Sequence, residues 1–350
     1  MKQVLKSIEL KTKIISFLKL SLPIAFGVGL IWLFYDALCE NQKEDLFKAF
    51  SEANYFWVIL SLIFGWFSHL SRAQRQKYLL KPMGYTVSFW NTYHALMIGY
   101  LVNFAFPRAG EASRAGMLLK TEKIPFEKGF GTIIAERAFD FLMLGVITLI
   151  AISLQYDKLD LFIAAKNNFV SGDGSCGNTM VFSVLGSIVK WGFILAVVGG
   201  VVLFIVKKEL RQKIINLVKG VFEGVFAIFK SKNKLPFIGH TLFIWTMYVI
   251  MFSVCFYALD STSVLGIDAK LAGFIAGTVG MIVVQGGIGV YPAFVGLILT
   301  IYMTNSGDGA ISPQALALGW IIWTSQTLMM IVLGLISLLV NSKNTKQSNG

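Results

Sequence analysis

The chain has 350 residues, 55% hydrophobic and only 14% charged, with a mean hydropathy of +0.68. Several apolar runs reach the ~18 residues that a helix needs to cross hydrocarbon, which excludes an ordinary soluble domain; the alternating ~10-residue segments of a membrane β-barrel are missing. The net charge of +12 does not point to nucleic acid, because the lysines and arginines cluster in short loops between apolar runs, where they set topology.

Residues 1–16 hold Lys2, Lys6, Lys11 and Lys13 against Glu9, so the positive-inside rule makes this end cytoplasmic. A first span covers about 17–38. It is followed by no good small-residue cleavage site, so it reads as a retained span and not a signal peptide. Residues 39–54 are acidic (Glu40, Glu44, Asp45, Glu52) and belong outside. A second span, 55–71, returns to Arg72, Arg75, Lys77 and Lys81 on the inside; Arg72 and Arg75 at the membrane edge read as topology anchors, with recruitment of anionic headgroups as the lesser alternative.

Treating 86–107 as an ordinary span would leave the strongly basic segment 207–234 outside, against the charge rule. Parity is restored if 86–120 enters from the cytoplasm, turns inside the membrane near Pro107 to Gly110 and leaves on the same side. Irregular backbone at that depth requires protein or a water-filled cavity around it. A span at 131–155 then goes out, 156–178 is an outside loop, 179–206 comes in, and 207–234 forms either an amphipathic helix at the cytoplasmic interface or a connecting helix packed against the bundle. Residues 238–259 cross outward. The run 271–303 is too long for one span and is interrupted at Gln285, Gly286, Gly287, Gly289 and Pro292, which fits a second hairpin entered from outside. Residues 315–340 cross back, and the tail 341–350 ends in the cytoplasm. The expected architecture is an all-α polytopic membrane helix bundle. It has about six full spans and two re-entrant hairpins meeting near the midplane, the arrangement that in transporters marks a substrate site.

Charge is densest between Asn103 and Asp140. A charged side chain at the bilayer centre costs about 2.5 to 3.5 kcal/mol on insertion scales, so such residues pair, face water or contact a substrate. Arg108, Glu111 and Arg114 follow at i, i+3 spacing on the second limb of the first hairpin. Glu111 neutralises one arginine and leaves a net positive pocket, and a guanidinium fork matches phosphate oxygens. Gly110 and the half-helix N-terminus behind Pro107 add backbone N–H groups. In the second tip, Gly286, Gly287 and Gly289 allow close approach of a headgroup or of another helix. Glu136, Arg137 and Asp140 read as a supporting ion-pair cluster that fixes helix packing, or as carboxylates that neutralise the arginines of the first tip between substrates or carry a proton.

Cys39, Cys176 and Cys255, and His69, His94 and His240, are scattered without ligand or C-x-x-C spacing, so neither a metal site nor a disulfide framework is expected. There is no phosphate-binding G-x-x-x-x-G-K-[ST], H-E-x-x-H or Ser-His-Asp pattern, hence no expected cofactor, ATP-driven step or catalytic residue.

PRAGEASRAGMLL, then ERAFD, then a late GGIGV resemble the membrane region of lysylphosphatidylglycerol synthases and the stand-alone flippase-like proteins related to it, over about 17–340. The resemblance implies a bacterial inner-membrane protein that moves an anionic phospholipid or a polyprenyl-phosphate lipid between leaflets. On it, Arg108, Gly110, Glu111, Arg114, Glu136, Arg137 and Asp140 match the first motif and Gly286, Gly287 and Gly289 the second. Relatives often carry proline before the late glycines and arginine and glutamate after them; here Gln285, Tyr291 and Pro292 stand there. A counterpart of the soluble aminoacyl-transferase domain is missing, so lysine transfer from tRNA is not expected. The re-entrant reading makes a direct prediction: single cysteines placed at 120–128 should react with impermeant thiol reagents from the cytoplasmic side only, and labelling from outside would overturn it.

Overall fold

In the computed structural model, residues 38–106, 109–158, 160–164, 232–303 and 311–348 are described, with isolated positions within 21–36 and 206–228. The expected spans at 17–38 and 179–206, the interfacial segment 207–234 and the residues Pro107 and Arg108 fall wholly or largely outside this set. The described residues form helices and no strand: α1 (Glu40–Glu52), α2 (Tyr55–Leu80), α3 (Phe89–Ala105), α4 (Gly110–Glu122), α5 (Phe126–Leu154), α6 (Lys234–Val254), α7 (Ile267–Val283), α8 (Val290–Met303) and α9 (Pro313–Ser348). Four stretches are long and apolar enough to span a bilayer, Tyr55–Met83, Phe126–Leu154, Lys234–Ala258 and Pro313–Ser342. The protein is an all-α polytopic membrane bundle.

The spine of the bundle is the antiparallel pair α2 and α6. Asn54 caps α2 by accepting a hydrogen bond from the Phe56 N–H at 3.1 Å, and its own N–H donates to the Ala258 carbonyl at 2.8 Å beyond the end of α6. The second span does not stop at Ser71. Between Ser71 and Pro82 there is no glycine or proline, and arginine, glutamine and lysine are good helix formers, so α2 continues for more than two further turns. That extension carries Arg72 and Arg75 away from an edge position and into the protein, which corrects their reading as topology anchors.

The segment expected as an acidic outside loop is helical as α1. Leu46 and Ala49 are buried, and Glu40 pairs with Lys43 at 2.8 Å on the solvent side. Cys39, at its N-terminus, is disulfide-bonded. This corrects the expectation of unbridged cysteines, which rested on the lack of a close cysteine spacing. Cys255 is buried and free.

Helices α3 and α4 form one hairpin, α7 and α8 the other. In the first, the α3 and α4 backbones touch: a Cβ on Gly110 would overlap the Gly99 carbonyl oxygen, and the Gly110 N–H donates to Asn103 Oδ1 at 2.8 Å. In the second, the turn at Gln285–Gly287 needs positive φ at Gly286 (76°) and again at Gly287 and Gly289, a conformation costly for any residue with a Cβ. Trp323 Nε1–H of α9 donates to the Gly286 carbonyl at 2.7 Å and holds the turn. The two turns meet, since the Phe104 ring lies 3.7 Å from where a Gly286 Cβ would stand.

At the end away from Lys77 and Lys81, Gln155 Nε2–H donates to the Asp268 carbonyl at 3.0 Å and Lys158 pairs with the Asp268 carboxylate, joining α5 to α7. The largest apolar core lies toward this end, around Phe252, Phe256, Phe274, Leu299 and Ile322. Three smaller clusters surround the other half of α2, around Leu79 and Phe237, Leu80 and Leu118, and Ala73 and Met97. Because Gly110 has no room for a side chain, Gly110→Leu is expected to cost about 1 to 3 kcal/mol by overpacking. A lowered Tm in detergent, with Gly116→Leu as a control at an open position, measures it.

Candidate functional site

Four helices send polar groups into one buried network. On α2, Ser61, Ser68, His69, Arg72, Arg75 and Gln76 are buried at helical spacing, so the polar stripe faces inward. On α5 the buried face reads Gly129, Thr132, Glu136 and Asp140; on α4 it reads Gly110, Arg114 and Leu118. The 3.6-residue period thus turns the polar faces of α2, α4 and α5 toward each other, with α6 closing the remaining side through Thr241 and Tyr248.

Asp140 is the hub of one half. Its two oxygens accept from Arg72 at 2.7 Å and Arg75 at 2.9 Å. Arg72 also donates to the Tyr248 hydroxyl at 3.1 Å and lies over the Tyr248 ring. Arg75 donates to Thr241 Oγ1 at 3.1 Å and lies over the Phe237 ring, 5.4 Å from its centroid. In the other half, Arg114 grips Glu136 with both terminal nitrogens, at 2.8 and 3.2 Å, and donates to Gln76 Oε1 at 2.6 Å. Gln76 in turn donates to Thr132 Oγ1 at 3.4 Å. Half-exposed Arg137 sits between Glu111 and Asp140, 3.7 Å from each.

Arg114, Glu136 and Asp140 are therefore brought together, and Arg137 and Glu111 form their more exposed flank. Glu111 faces Arg137 and not Arg114, because residues three apart on α4 diverge enough for Arg114 to turn inward while Glu111 stays partly exposed. Arg108 lies outside the described residues. Gly110 serves the contact between α3 and α4. Among the described residues, no hydrogen bond or ion pair joins Gly286, Gly287 or Gly289 to the arginines. Gly289 is instead approached by the Gly27 backbone, so its lack of a side chain serves a helix contact.

Sequence reasoning missed Arg72, Arg75, Gln76, Thr241 and Tyr248 as members of the network. The signal was present in the i, i+3, i+4 spacing of Ser68, His69, Arg72, Arg75 and Gln76, which places them on one helical face.

Three arginines are buried against two buried carboxylates. Even so, among the described residues Arg72 Nε, Arg75 Nε and Nη2 and Arg114 Nε have no hydrogen-bond partner. Buried guanidinium N–H groups are strong donors, and leaving them unpaired in a low-dielectric interior is costly. Among the described residues the network thus has a surplus of positive charge and of donors.

Residues 20–340 match the family model described as the lysylphosphatidylglycerol synthase TM region. The chain belongs to this family. A stretch of 112 residues is 30% identical to a UPF0104 membrane protein of Methanocaldococcus jannaschii, covering 31% of this chain and 33% of that protein. Over 245 residues it is 28% identical to a UPF0104 membrane protein of Methanothermobacter thermautotrophicus, covering 63% and 67%. Over 249 residues it is 27% identical to glycosyltransferase AglD of Haloferax volcanii, covering 63% of this chain but 39% of that enzyme. The matches thus span from a third to two thirds of these relatives' lengths. No solved structure matches.

Removing the shared carboxylate should expose how the network is balanced. Asp140→Asn leaves Arg72 and Arg75 uncompensated and is expected to cost about 3 to 5 kcal/mol, whereas neutralising all three together costs far less. Thermal unfolding of the single variant and of Arg72→Met, Arg75→Met, Asp140→Asn combined would show this; equal stability of Asp140→Asn and the native protein would contradict it.

Proposed function

We propose that this membrane protein is a lipid translocase, which moves a phosphate-bearing lipid, an anionic phospholipid or a polyprenyl-linked glycolipid, between the leaflets of a cytoplasmic membrane. The observation that carries the reading is the excess of buried guanidinium over buried carboxylate, with N–H donors left over. A phosphate diester or monoester accepts from such donors and cancels the excess charge. Arg114 and Arg108 contribute from the first hairpin, while Glu136 and Asp140 hold the arginines when no headgroup is present, so the site both desolvates an anion and releases it. The second hairpin, touching the first at Phe104 and Gly286, supplies a neighbouring element that moves against it.

The membrane-embedded enzyme is the competing reading, and the similarity to a protein named as a glycosyltransferase bears on it. The geometry favours transport: Glu136 and Asp140 each accept from arginine, so neither carboxylate stands free as a general base. The orientation proposed here puts Lys77, Lys81 and both termini in the cytoplasm. The disulfide at Cys39 supports it, because that residue lies beyond the opposite end of α2 and disulfides persist on the oxidising side of a membrane.

The test is leaflet transfer in reconstituted vesicles, using fluorescent phosphatidylglycerol and polyprenyl phosphate. Losing one charge-assisted hydrogen-bonding group is worth about 1.5 to 3 kcal/mol, roughly ten- to a hundred-fold in headgroup affinity. Arg108→Ala and Arg114→Gln should slow transfer accordingly while the protein still unfolds cooperatively. Unchanged rates in both variants, or chemically altered lipid after incubation with the native protein, would overturn the translocase.

A further inference from the structure

A chamber of about 360 Å³ opens between α2, α5 and α6 at the basic end of the bundle. Its walls are mostly apolar, formed by Leu79, Met83, Ala135, Ile228 and Phe237. The inner end reaches Thr132 and Phe237. These two residues border the arginine network, Thr132 by accepting from Gln76 and Phe237 by lying under Arg75. The rim includes Lys128, and Lys81, Lys232 and Lys234 are next to rim residues in the chain; all four are exposed. The one acid in the lining is Glu127, and none of the four lysines makes an ion pair among the described residues.

Apolar walls under a basic rim match one kind of ligand in its ordinary bilayer orientation. The phosphate lies at the lysine rim, at the depth of the headgroups, and a hydrocarbon chain runs inward along the apolar wall. We propose that this chamber is a loading site, separate from the arginine network, where an anionic lipid docks before its headgroup is drawn in. Gln76, Thr132 and Phe237 form the partition between the two. A zwitterionic lipid has the chain but lacks net charge for the rim; a soluble phosphate has the charge but nothing for the wall. The inference rests on the translocase reading for the purpose of the site, but the docking itself is measurable without any transfer.

Gly131 provides a clean probe. It lines the chamber, and no heavy atom lies within 4 Å of where its Cβ would stand, so a large side chain there fills space without displacing the helix. The native protein in nanodiscs would be irradiated with phosphatidylglycerol or phosphatidylcholine carrying a diazirine on one chain, and the labelled peptides mapped by mass spectrometry. Phosphatidylglycerol is expected to label 78–83 and 131–135 in preference to phosphatidylcholine. Gly131→Trp should reduce that labelling by about tenfold, equivalent to about 1.4 kcal/mol, with Gly131→Leu as a milder variant, and Lys81→Glu with Lys128→Glu should remove the preference for the anionic lipid. Labelling of the lipid-facing stretch 141–149, where Phe141 and Leu149 are exposed, should not change. Chamber labelling that survives both Gly131 substitutions, or that is equal for the two lipids, overturns the loading site. If labelling behaves as expected and no leaflet transfer occurs, the docking stands and the translocase falls; transfer that is insensitive to Gly131→Trp leaves the translocase standing and overturns the chamber's role in loading.

Discussion

The structure depends on one constraint, that guanidinium groups removed from water need carboxylates and donors arranged around them. Burying three arginines at membrane depth without partners would cost on the order of 10 kcal/mol on insertion scales, comparable to the whole stability of a typical domain. Asp140 and Glu136 offset this by dividing the arginines between them, Arg72 and Arg75 on one, Arg114 on the other. Since those five residues sit on three helices, the offset is available only when α2, α4 and α5 are in register. The same interaction that makes the charges tolerable therefore determines how the hairpin limb α4 lies against the long helices.

This arrangement separates two tasks in the bundle. The end away from the basic loops is held by ordinary apolar packing of aromatic and leucine side chains, reinforced by the polar contacts of Gln155 and Lys158 with Asp268. Among the described residues the basic half has smaller apolar clusters and is held in addition by the ion-pair network. A network held by charge responds to an anion in a way that a dry core does not: each new acceptor competes with Glu136 or Asp140 for the same guanidinium. On the proposed translocase reading, headgroup binding and helix packing are coupled through the same guanidinium groups.

The chamber between α2, α5 and α6 extends this logic toward the membrane surface. Its walls are mostly apolar, its rim carries lysine, and its inner end abuts the arginine network through Thr132 and Phe237. In the proposed loading site a lipid meets a graded environment, with Gln76, Thr132 and Phe237 between the chamber and the arginines.

Much of this was legible in the chain. Hydropathy and the distribution of lysine and arginine established a helical membrane protein and located the stretches that were broken, and the charges at Arg114, Glu136 and Asp140 marked the polar interior because apolar segments do not carry such residues without partners. Glycine and proline placement indicated both turns. The sequence could not show that α2 runs on to Leu80, because a hydropathy window ends a span where the charge begins, while the helix ends where backbone hydrogen bonding ends. For that reason Arg72 and Arg75 looked like edge anchors. Nor could it show which carboxylate serves which arginine: Glu111 is nearest to Arg114 in sequence, yet Arg114 pairs with Glu136, 22 residues away. Pairing between helices is decided by their rotation and crossing, and those exist only once the helices have packed.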